Sequence, residues 1–275
     1  MTAIRLGPAG IPLSAKGNTS AFGVTRCAEL GLNAMELEFV HGVKMGVNVA
    51  KELGIVAKKL DVALSIHAPY FINLTSVDEA KIHASERMIM DTLERGVAMK
   101  AATIVIHAGW YGKLTSDQAT EQMIHEFKKI AKLSEQRGWD VRIGMETTGR
   151  MSQWGTVDEI LAVCKEVTQC APVIDWAHLY ARAGGSIDYP AILDKLKSFK
   201  HLHCHFEGIK FSSKQPGTGN EVSHMPINGN PPFEPLAKEF LKRKIDATII
   251  AEGPTLEQDS MKMKKIFEKL GHKFD

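Results

Sequence analysis

The chain has few cysteines and lacks long apolar runs. Only four of its 275 residues are cysteines, and their spacing fits neither a zinc finger nor a disulfide framework, so we expect reduced thiols and a cytoplasmic protein. It contains no stretch of about 18 apolar residues, so we expect no membrane span. The first residues show neither a basic leader nor a long apolar run, and we expect no signal peptide.

The chain also lacks an excess of charge of either sign. Its 34 basic and 32 acidic residues give a formal net charge of +2, which alone gives no reason to expect a nucleic-acid partner. That number is a whole-chain sum, however, and bound metal ions would make one region far more positive. Hydrophobic residues are 44% and charged residues 24% of the chain, which excludes a disordered, collagenous or coiled-coil protein.

The length and the pattern of apolar residues predict one (β/α)8 barrel domain over residues 1–275. Short runs rich in Val, Ile and Leu alternate with longer helix-like segments, as in a parallel sheet covered on both faces. The strands are expected at Ala3–Gly7, Asn33–Phe39, Val62–His67, Thr103–His107, Val141–Glu146, Pro172–Asp175, His201–Phe206 and Thr248–Glu252. The helices are expected near 18–31, 46–60, 78–100, 115–138, 156–170, 188–199, 232–244 and 257–270. A doubly wound sheet shows the same alternation, but the count of eight strands favours the TIM barrel, with its active site at the C-terminal mouth.

Six consecutive predicted strands end in residues that ligate metals. These residues are His67, His107, Glu146, Asp175 with His178, a histidine of strand seven, and Glu252. In a barrel their side chains converge, and carboxylates and imidazoles packed together without a cation are costly. Imidazole mixed with carboxylate suits zinc, with manganese or iron as substitutes. The ligands exceed the needs of one ion, and a shared carboxylate would bridge two ions about 3.5–4 Å apart.

Strand seven offers more than one candidate ligand. His201, His203 and His205 alternate with other residues, so all three share a face of the strand. Only the histidines near the C-terminal end reach the mouth, and spacing alone does not choose between His203 and His205.

A long segment, 208–230, follows strand seven and is rich in Gly, Ser, Pro and Asn. We expect a loop here, and a loop of this length in a compact domain is functional or disordered. Glu221 and His224 lie within it, over the barrel mouth, where they predict a third metal site.

At these residues the sequence resembles the endonuclease IV family of apurinic/apyrimidinic endonucleases (AP endonuclease family 2), closest to its archaeal-type branch, within the xylose-isomerase-like TIM barrel superfamily. The resemblance extends from the first strand to the last helix. The matching segments are IHAPYFINL at 66–74, IHAGWYG at 106–112, METTGRMSQWGT at 145–156, IDWAHLYARAGG at 174–185, HLHCHF at 201–206 and AEGP at 251–254.

The resemblance implies three zinc ions and assigns their ligands by motif. The first ion would be held by His67, His107 and Glu146. The second would share Glu146 and add Asp175, His203 and Glu252. The motif selects His203 over His205, which would then lie beside the ligands.

The third ion would take His178 and ligands from the segment after strand seven. There the chain departs from the better-known members, which present an Asp-x-His triplet, whereas this segment reads GNEVSH at 219–224. His224 is the natural ligand, and Glu221 would replace the aspartate at a different spacing.

The resemblance also implies contacts with double-stranded DNA. Tyr70 and Phe71 hold the positions of an aromatic and an apolar residue that enter the duplex at the lesion, followed by Asn73. A wedge stabilises a gap in the base stack, and an abasic nucleotide is the easiest to flip. His41 and Lys44, after strand two, are weaker candidates for phosphate contacts.

The implied activity is a zinc-dependent hydrolysis of the phosphodiester 5′ to an abasic site, in base excision repair, by a monomer. Glu146 would be the catalytic residue, bridging metals and helping to hold the nucleophile. Two alternatives stay open. A metal-dependent sugar isomerase or epimerase on the same barrel would use Glu38 and Glu146 as acid and base. A DNA-lesion binder without catalysis would have degenerate metal sites.

Overall fold

A computed structural model describes residues 2–274, and it contains the strands and helices expected from the apolar pattern. The barrel strands are β1 Ile4–Pro8, β2 Ala34–Glu38, β3 Ala63–His67, β4 Thr103–Ile106, β5 Arg142–Glu146, β6 Cys170–Asp175, β7 His201–Phe206 and β10 Asp246–Ala251. Each begins and ends within two residues of its predicted bounds. The helices are α1 Ser20–Glu29, α2 Val47–Lys59, α3 Glu79–Met99, α4 Ser116–Gln136, α5 Val157–Glu166, α6 Trp176–Arg182, α7 Tyr189–Lys195, α8 Phe233–Arg243 and α9 Glu257–Lys269.

Eight strands form one sheet in the order β1-β10-β7-β6-β5-β4-β3-β2. Strands that follow one another along the chain are therefore neighbours, apart from the hairpin inserted before β10. Ile4 pairs with Ala247, and His203 pairs with Thr248, both in parallel register. Parallel neighbours joined by helical crossovers are the pattern of a (β/α)8 barrel, which confirms the predicted fold class.

By their internal contacts the described residues fall into two compact units. The first is drawn from Met1–Met35, Gly149–Met151 and Ile174–Asp275, and the second from Glu36–Thr148 and Ser152–Val173. The single domain expected over residues 1–275 stays a prediction.

The first unit has an aromatic core. The rings of Phe206 and Phe233 lie 4.7 Å apart, and Phe233 packs edge-on against Phe267 at 5.6 Å. Edge-to-face packing of this kind adds about 0.5–1.5 kcal/mol per pair to the burial of the rings. β1 carries Gly7 because a Cβ atom there would lie 1.8 Å from the carbonyl oxygen of Ala34.

The second unit has an aliphatic core and a helix that begins with a capping box. Ile66, Ile104 and Ile143 are fully buried on three of its strands. Thr156 begins α5 with a capping box, in which its side chain and that of Glu159 each accept a backbone N–H of the other residue. The Thr-x-x-Glu spacing is itself a sequence signature of a helix start.

The segment 208–230, predicted to be a loop, is mostly an antiparallel hairpin of β8 Gly208–Gln215 and β9 Thr218–Met225. Its turn contains Pro216 and Gly217, and Gly217 has a φ of 76°. Pro followed by a glycine of positive φ is the sequence of a type II turn. The turn reverses the chain, and His224 pairs with Ile209 across the hairpin.

Helix α6 was not among the predicted helices, although the predicted strand six ends at Asp175, directly before it. The strand ends at Asp175, whose carboxylate accepts a hydrogen bond from the backbone N–H of His178 at 2.6 Å. Asp175 is therefore the N-cap of α6, and His178 lies in the first turn of the helix. Among residues 2–274, no helix is long and apolar enough to cross a membrane.

Candidate metal centre

Within the second unit, the structure brings His67, His107 and Glu146 together at the C-terminal ends of their strands. His67 and Glu146 are the last residues of β3 and β5, and His107 directly follows β4. The Oε2 atom of Glu146 lies 3.1 Å from Nε2 of His67 and 2.7 Å from Nε2 of His107. Each residue thus offers one ligand atom to the same small volume, as predicted.

The hydrogen bonds of His67 test whether this group suits a cation. Its Nδ1 atom lies 2.8 Å from the carbonyl oxygen of Ala68, which only accepts, so Nδ1 carries a proton. In the neutral ring, Nε2 then directs a lone pair toward the Glu146 carboxylate, which is unfavourable unless a cation lies between them. A carbonyl-anchored imidazole beside a buried carboxylate is the arrangement of metal-ligating histidines. The donor set fits a divalent ion.

Within the first unit, a second group consists of Asp175, His205 and Glu252. Their ligand atoms lie within 4.8 Å of one another. Nδ1 of His205 is 2.9 Å from Oε1 of Glu252, and both Asp175 and His205 are fully buried. This group contains His205, whereas His203, whose ring lies 5.6 Å from that of His205, was the ligand chosen by motif. The sharing of Glu146 between two ions stays a prediction.

A third group in the same unit consists of His178 on α6 with Glu221 and His224 on β9. Nε2 of His178 lies 3.3 Å from Nε2 of His224 and 3.5 Å from Oε2 of Glu221. Nε2 of His224 lies 3.8 Å from Oε1 of Glu221. The predicted ligands of the third ion are therefore close together, although no Asp-x-His triplet is present.

The outer nitrogens of these two histidines both lie near oxygen atoms. Nδ1 of His178 is 3.4 Å from Oδ2 of Asp175, and Nδ1 of His224 is 3.4 Å from the carbonyl oxygen of Glu252. In the tautomers with a proton on each Nδ1 atom, the two Nε2 lone pairs would face each other. A cation between the rings removes that repulsion, so this group also fits a divalent ion.

Sequence reasoning missed Glu207, which directly follows β7. Its side chain is fully buried, and neither of its carboxylate oxygens has a hydrogen-bond partner. Burial and the neighbouring charge of Asp175 raise the pKa of Glu207 well above its usual range. The sequence feature that could have identified Glu207 is a carboxylate residue two positions after His205, in the same His-rich segment.

The predicted DNA-contacting residues lie in two loops of the second unit. Tyr70 and Phe71, after β3, are 53% and 68% exposed, and the Tyr70 ring packs 5.2 Å from that of His67. Two adjacent exposed aromatic side chains beside buried metal-ligand candidates suit a binding role. His41 and Lys44 are exposed in the segment after β2.

Asn73 has a local structural task in the same loop as Tyr70. Its Oδ1 atom accepts hydrogen bonds from the backbone N–H and the hydroxyl of Thr75, at 3.2 and 2.9 Å. Its backbone N–H donates to the hydroxyl of Ser85. These bonds fix the turn that presents Tyr70 and Phe71. Trp110, 38% exposed after β4, is a further aromatic side chain that sequence reasoning did not select.

Comparison with known proteins places the chain in a family. Residues 24–270 match the sequence profile of the xylose isomerase-like TIM barrel. The chain belongs to this family. Its relatives include the uncharacterized protein MJ0133 of Methanocaldococcus jannaschii, which is 34% identical over 275 residues, covering 96% of this chain and 97% of that protein.

Other relatives and structural neighbours are named either as endonucleases or as sugar epimerases. A protein of Carboxydothermus hydrogenoformans named as a probable endonuclease 4 is 23% identical over 75% of this chain and 76% of its own length. The crystal structure of endonuclease IV from Thermus thermophilus superposes with a TM-score of 0.70, at 20% identity, over 95% of this chain and 98% of that one. A D-tagatose 3-epimerase-like protein superposes with a TM-score of 0.72, at 19% identity, over 98% and 96% of the two chains. The relatives confirm the resemblance to endonuclease IV at the level of the family, and the structures confirm the fold.

Proposed function

We propose that the protein is a zinc-dependent endonuclease that hydrolyses the DNA phosphodiester 5′ to abasic sites during base excision repair. The observation that carries the proposal is the His67–His107–Glu146 group. It is a second set of metal-ligand candidates besides Asp175, His205 and Glu252. Sites with more than one metal ion are typical of phosphoryl transfer, whereas sugar isomerisation needs one ion with acid and base groups.

The ligands have defined tasks in this reaction. Zinc, when bound, lowers the pKa of a water molecule and neutralises phosphate oxygens. His67 and His107 supply imidazole nitrogens, and Glu146 lies within 3.1 Å of both rings. Glu146 is the proposed catalytic residue, whose carboxylate accepts a hydrogen bond from the attacking water and fixes its direction of approach.

The strand-seven ligand in this proposal is His205. It lies 2.9 Å from Glu252 and is fully buried, as expected for a residue that holds an ion in a closed volume. Replacement of His205 by Asn is therefore expected to weaken metal binding more than the same replacement of His203.

The exposed aromatic loop supports double-stranded DNA as the substrate. Phe71 projects into solvent while Tyr70 packs against His67. A pair in this position can enter a base stack and leave a flipped abasic nucleotide beside the metal ligands. Lys44 and His41 are the proposed phosphate contacts.

A sugar epimerase is the second candidate. It is favoured by the group of Asp175, His205 and Glu252, since one histidine with two carboxylates is sufficient for a single divalent ion. In that reaction the carboxylates would also move protons at the carbon next to a carbonyl. The histidines His67 and His107 have no task in it, which is why we rank it second.

Cleavage of a defined duplex distinguishes the two candidates. The zinc-loaded protein and its Glu146→Gln variant are incubated with a duplex containing one abasic site and, separately, with ketose sugars. The proposal predicts a nick 5′ to the site, abolished by a chelator and by the substitution, and no epimerised sugar. Conversion of a ketose without any nick would instead establish the epimerase.

A further inference from the structure

The carboxylate of Glu207 has no task in the proposed reaction, although it is fully buried between two groups of metal-ligand candidates. We propose that Glu207 is an additional ligand of the ion held by His178, Glu221 and His224. This inference rests on the metal centre proposed above and deepens it, because it makes the third ion a four-ligand site that spans the end of β7, helix α6 and the hairpin.

The distances in this region suit tetrahedral coordination. With zinc–ligand bonds of about 2.0–2.1 Å, neighbouring ligand atoms of a tetrahedral site lie about 3.3–3.4 Å apart. Nε2 of His178 lies 3.3 Å from Nε2 of His224 and 3.5 Å from Oε2 of Glu221. Nε2 of His224 lies 3.8 Å from the other oxygen of Glu221, Oε1. Oε1 of Glu207 lies 3.9 Å from Nε2 of His224, and one of its oxygens is within 4.8 Å of a ligand nitrogen of His178. The proposed site places these four residues around one ion.

The surroundings of Glu207 favour a cation. Both of its oxygens are buried without a hydrogen-bond partner. Its neighbours are the carboxylates of Asp175 and Glu252 and the imidazoles of His178 and His205. A carboxylate buried among carboxylates is unfavourable by desolvation and by like-charge repulsion. A divalent ion held jointly with the two histidines of the proposed site removes both costs. The mixture of imidazole nitrogen and carboxylate oxygen favours zinc or manganese over calcium.

Four protein ligands would make this ion different from the one at His67. A zinc site with three protein ligands keeps an open position for water, whereas a site with four is closed. The ion at Glu207 is therefore expected to be held tightly and to serve as a fixed positive charge that joins the hairpin to β7 and α6.

Counting ions tests the proposal without any DNA. The wild type, Glu207→Gln and the control Glu268→Gln, whose glutamate is exposed on α9, are equilibrated against the same free zinc and the bound metal is measured by emission spectroscopy. Wild type and control are expected to bind equal numbers of ions. Glu207→Gln is expected to lose one ion per chain or to bind it at least tenfold more weakly. Glu207→Asp, which keeps the charge on a shorter side chain, is expected to lose less affinity than Glu207→Gln.

Thermal unfolding separates a ligand from a merely structural residue. In the metal-free proteins, Glu207→Gln is expected to unfold at or above the wild-type temperature, because it no longer buries an unpartnered carboxylate. In zinc it is expected to unfold below the wild type. Unchanged metal binding in Glu207→Gln, or an equal loss of stability with and without zinc, would overturn the proposal. Failure of the abasic-site assay with all ions present would refute the proposed function and leave this inference standing.

Discussion

Replacing Glu146 with Gln is the perturbation whose consequences follow most directly from the geometry. The carboxylate lies 3.1 and 2.7 Å from the Nε2 atoms of His67 and His107, and its side chain is fully buried. Gln has nearly the same shape but is neutral, and its amide coordinates metals poorly. The substitution therefore leaves the packing of the metal-free protein nearly intact while it removes one of three ligands.

The expected magnitude follows from binding linkage. At a zinc concentration of about 100 times the dissociation constant, one site stabilises the fold by about 2.7 kcal/mol. If loss of the Glu146 ligand weakens the site by about 100-fold, the same zinc concentration contributes only about 0.4 kcal/mol. The difference of about 2.3 kcal/mol corresponds to roughly 5–9 °C in the unfolding temperature of a chain of this size.

The assay is thermal unfolding followed by circular dichroism, with and without zinc, for wild type, Glu146→Gln and the control Glu121→Gln, whose glutamate is exposed on α4. The control is expected to match the wild type in both conditions. The Glu146 variant is expected to lie within a few degrees of the wild type in chelator and to lose about 5–9 °C of the zinc-dependent increase. An increase equal to that of the wild type would refute the assignment of Glu146 as a ligand.

Two further predictions concern the DNA-binding loop and the pH dependence of stability. Phe71→Ala is expected to raise the dissociation constant for an abasic duplex about 10- to 100-fold, since a stacking contact contributes about 1–3 kcal/mol. The unfolding temperature is expected to stay unchanged because the ring is exposed. Fluorescence anisotropy measures the dissociation constant, and equal affinities of the variant and the wild type would contradict the wedge role. For Glu159, burial raises the pKa, but hydrogen bonds from Ser116, Thr156 and Tyr111 outweigh it and hold the pKa below its ordinary value. The carboxylate therefore adds stability above the unfolded pKa of about 4.3, and this contribution is lost as the pH falls through the lower folded pKa. Glu159→Gln is expected to lower the free energy of unfolding by about 1–2 kcal/mol at pH 7 and by progressively less below about pH 4. Urea unfolding measures this difference, and a difference independent of pH would contradict a lowered pKa of Glu159.

The barrel strands could be predicted from the sequence because buried parallel strands leave a continuous apolar signature. The run at Val62–His67 and the run at Val141–Glu146 each begin one residue before the observed strand and end with it. Their polar last residues could be predicted as site residues because a histidine or glutamate that ends a buried apolar strand adds nothing to the packing of the core and is costly to bury without a partner. The helix at α5 was marked by its Thr156 cap.

The hairpin and α6 were missed because their signals are short. The Pro216–Gly217 turn of the hairpin lies within a polar segment without apolar alternation, so composition favoured a loop over two strands. Asp175 is at once the last residue of β6 and the N-cap of α6, and the strand interpretation concealed the cap. Recognition of the cap would have placed His178 on a helix.

The choice of the strand-seven ligand and the role of Glu207 depend on three-dimensional proximity. His203 and His205 share a face of β7, so alternation cannot separate them. The 2.9 Å contact of His205 with Glu252, on which we base the proposal of His205, arises only in the fold. Glu207 lies beyond the end of the strand, and its burial arises from packing that no local pattern records.

The most direct test of the proposed activity combines metal content and cleavage in one sample. The purified protein is brought to a measured number of zinc ions per chain and incubated with a duplex that carries a single abasic site. We expect two to three ions per chain and a nick on the 5′ side of the site that leaves a 3′-hydroxyl, both lost together in a chelator and restored by zinc. A fully zinc-loaded protein that leaves the abasic duplex intact would contradict the account.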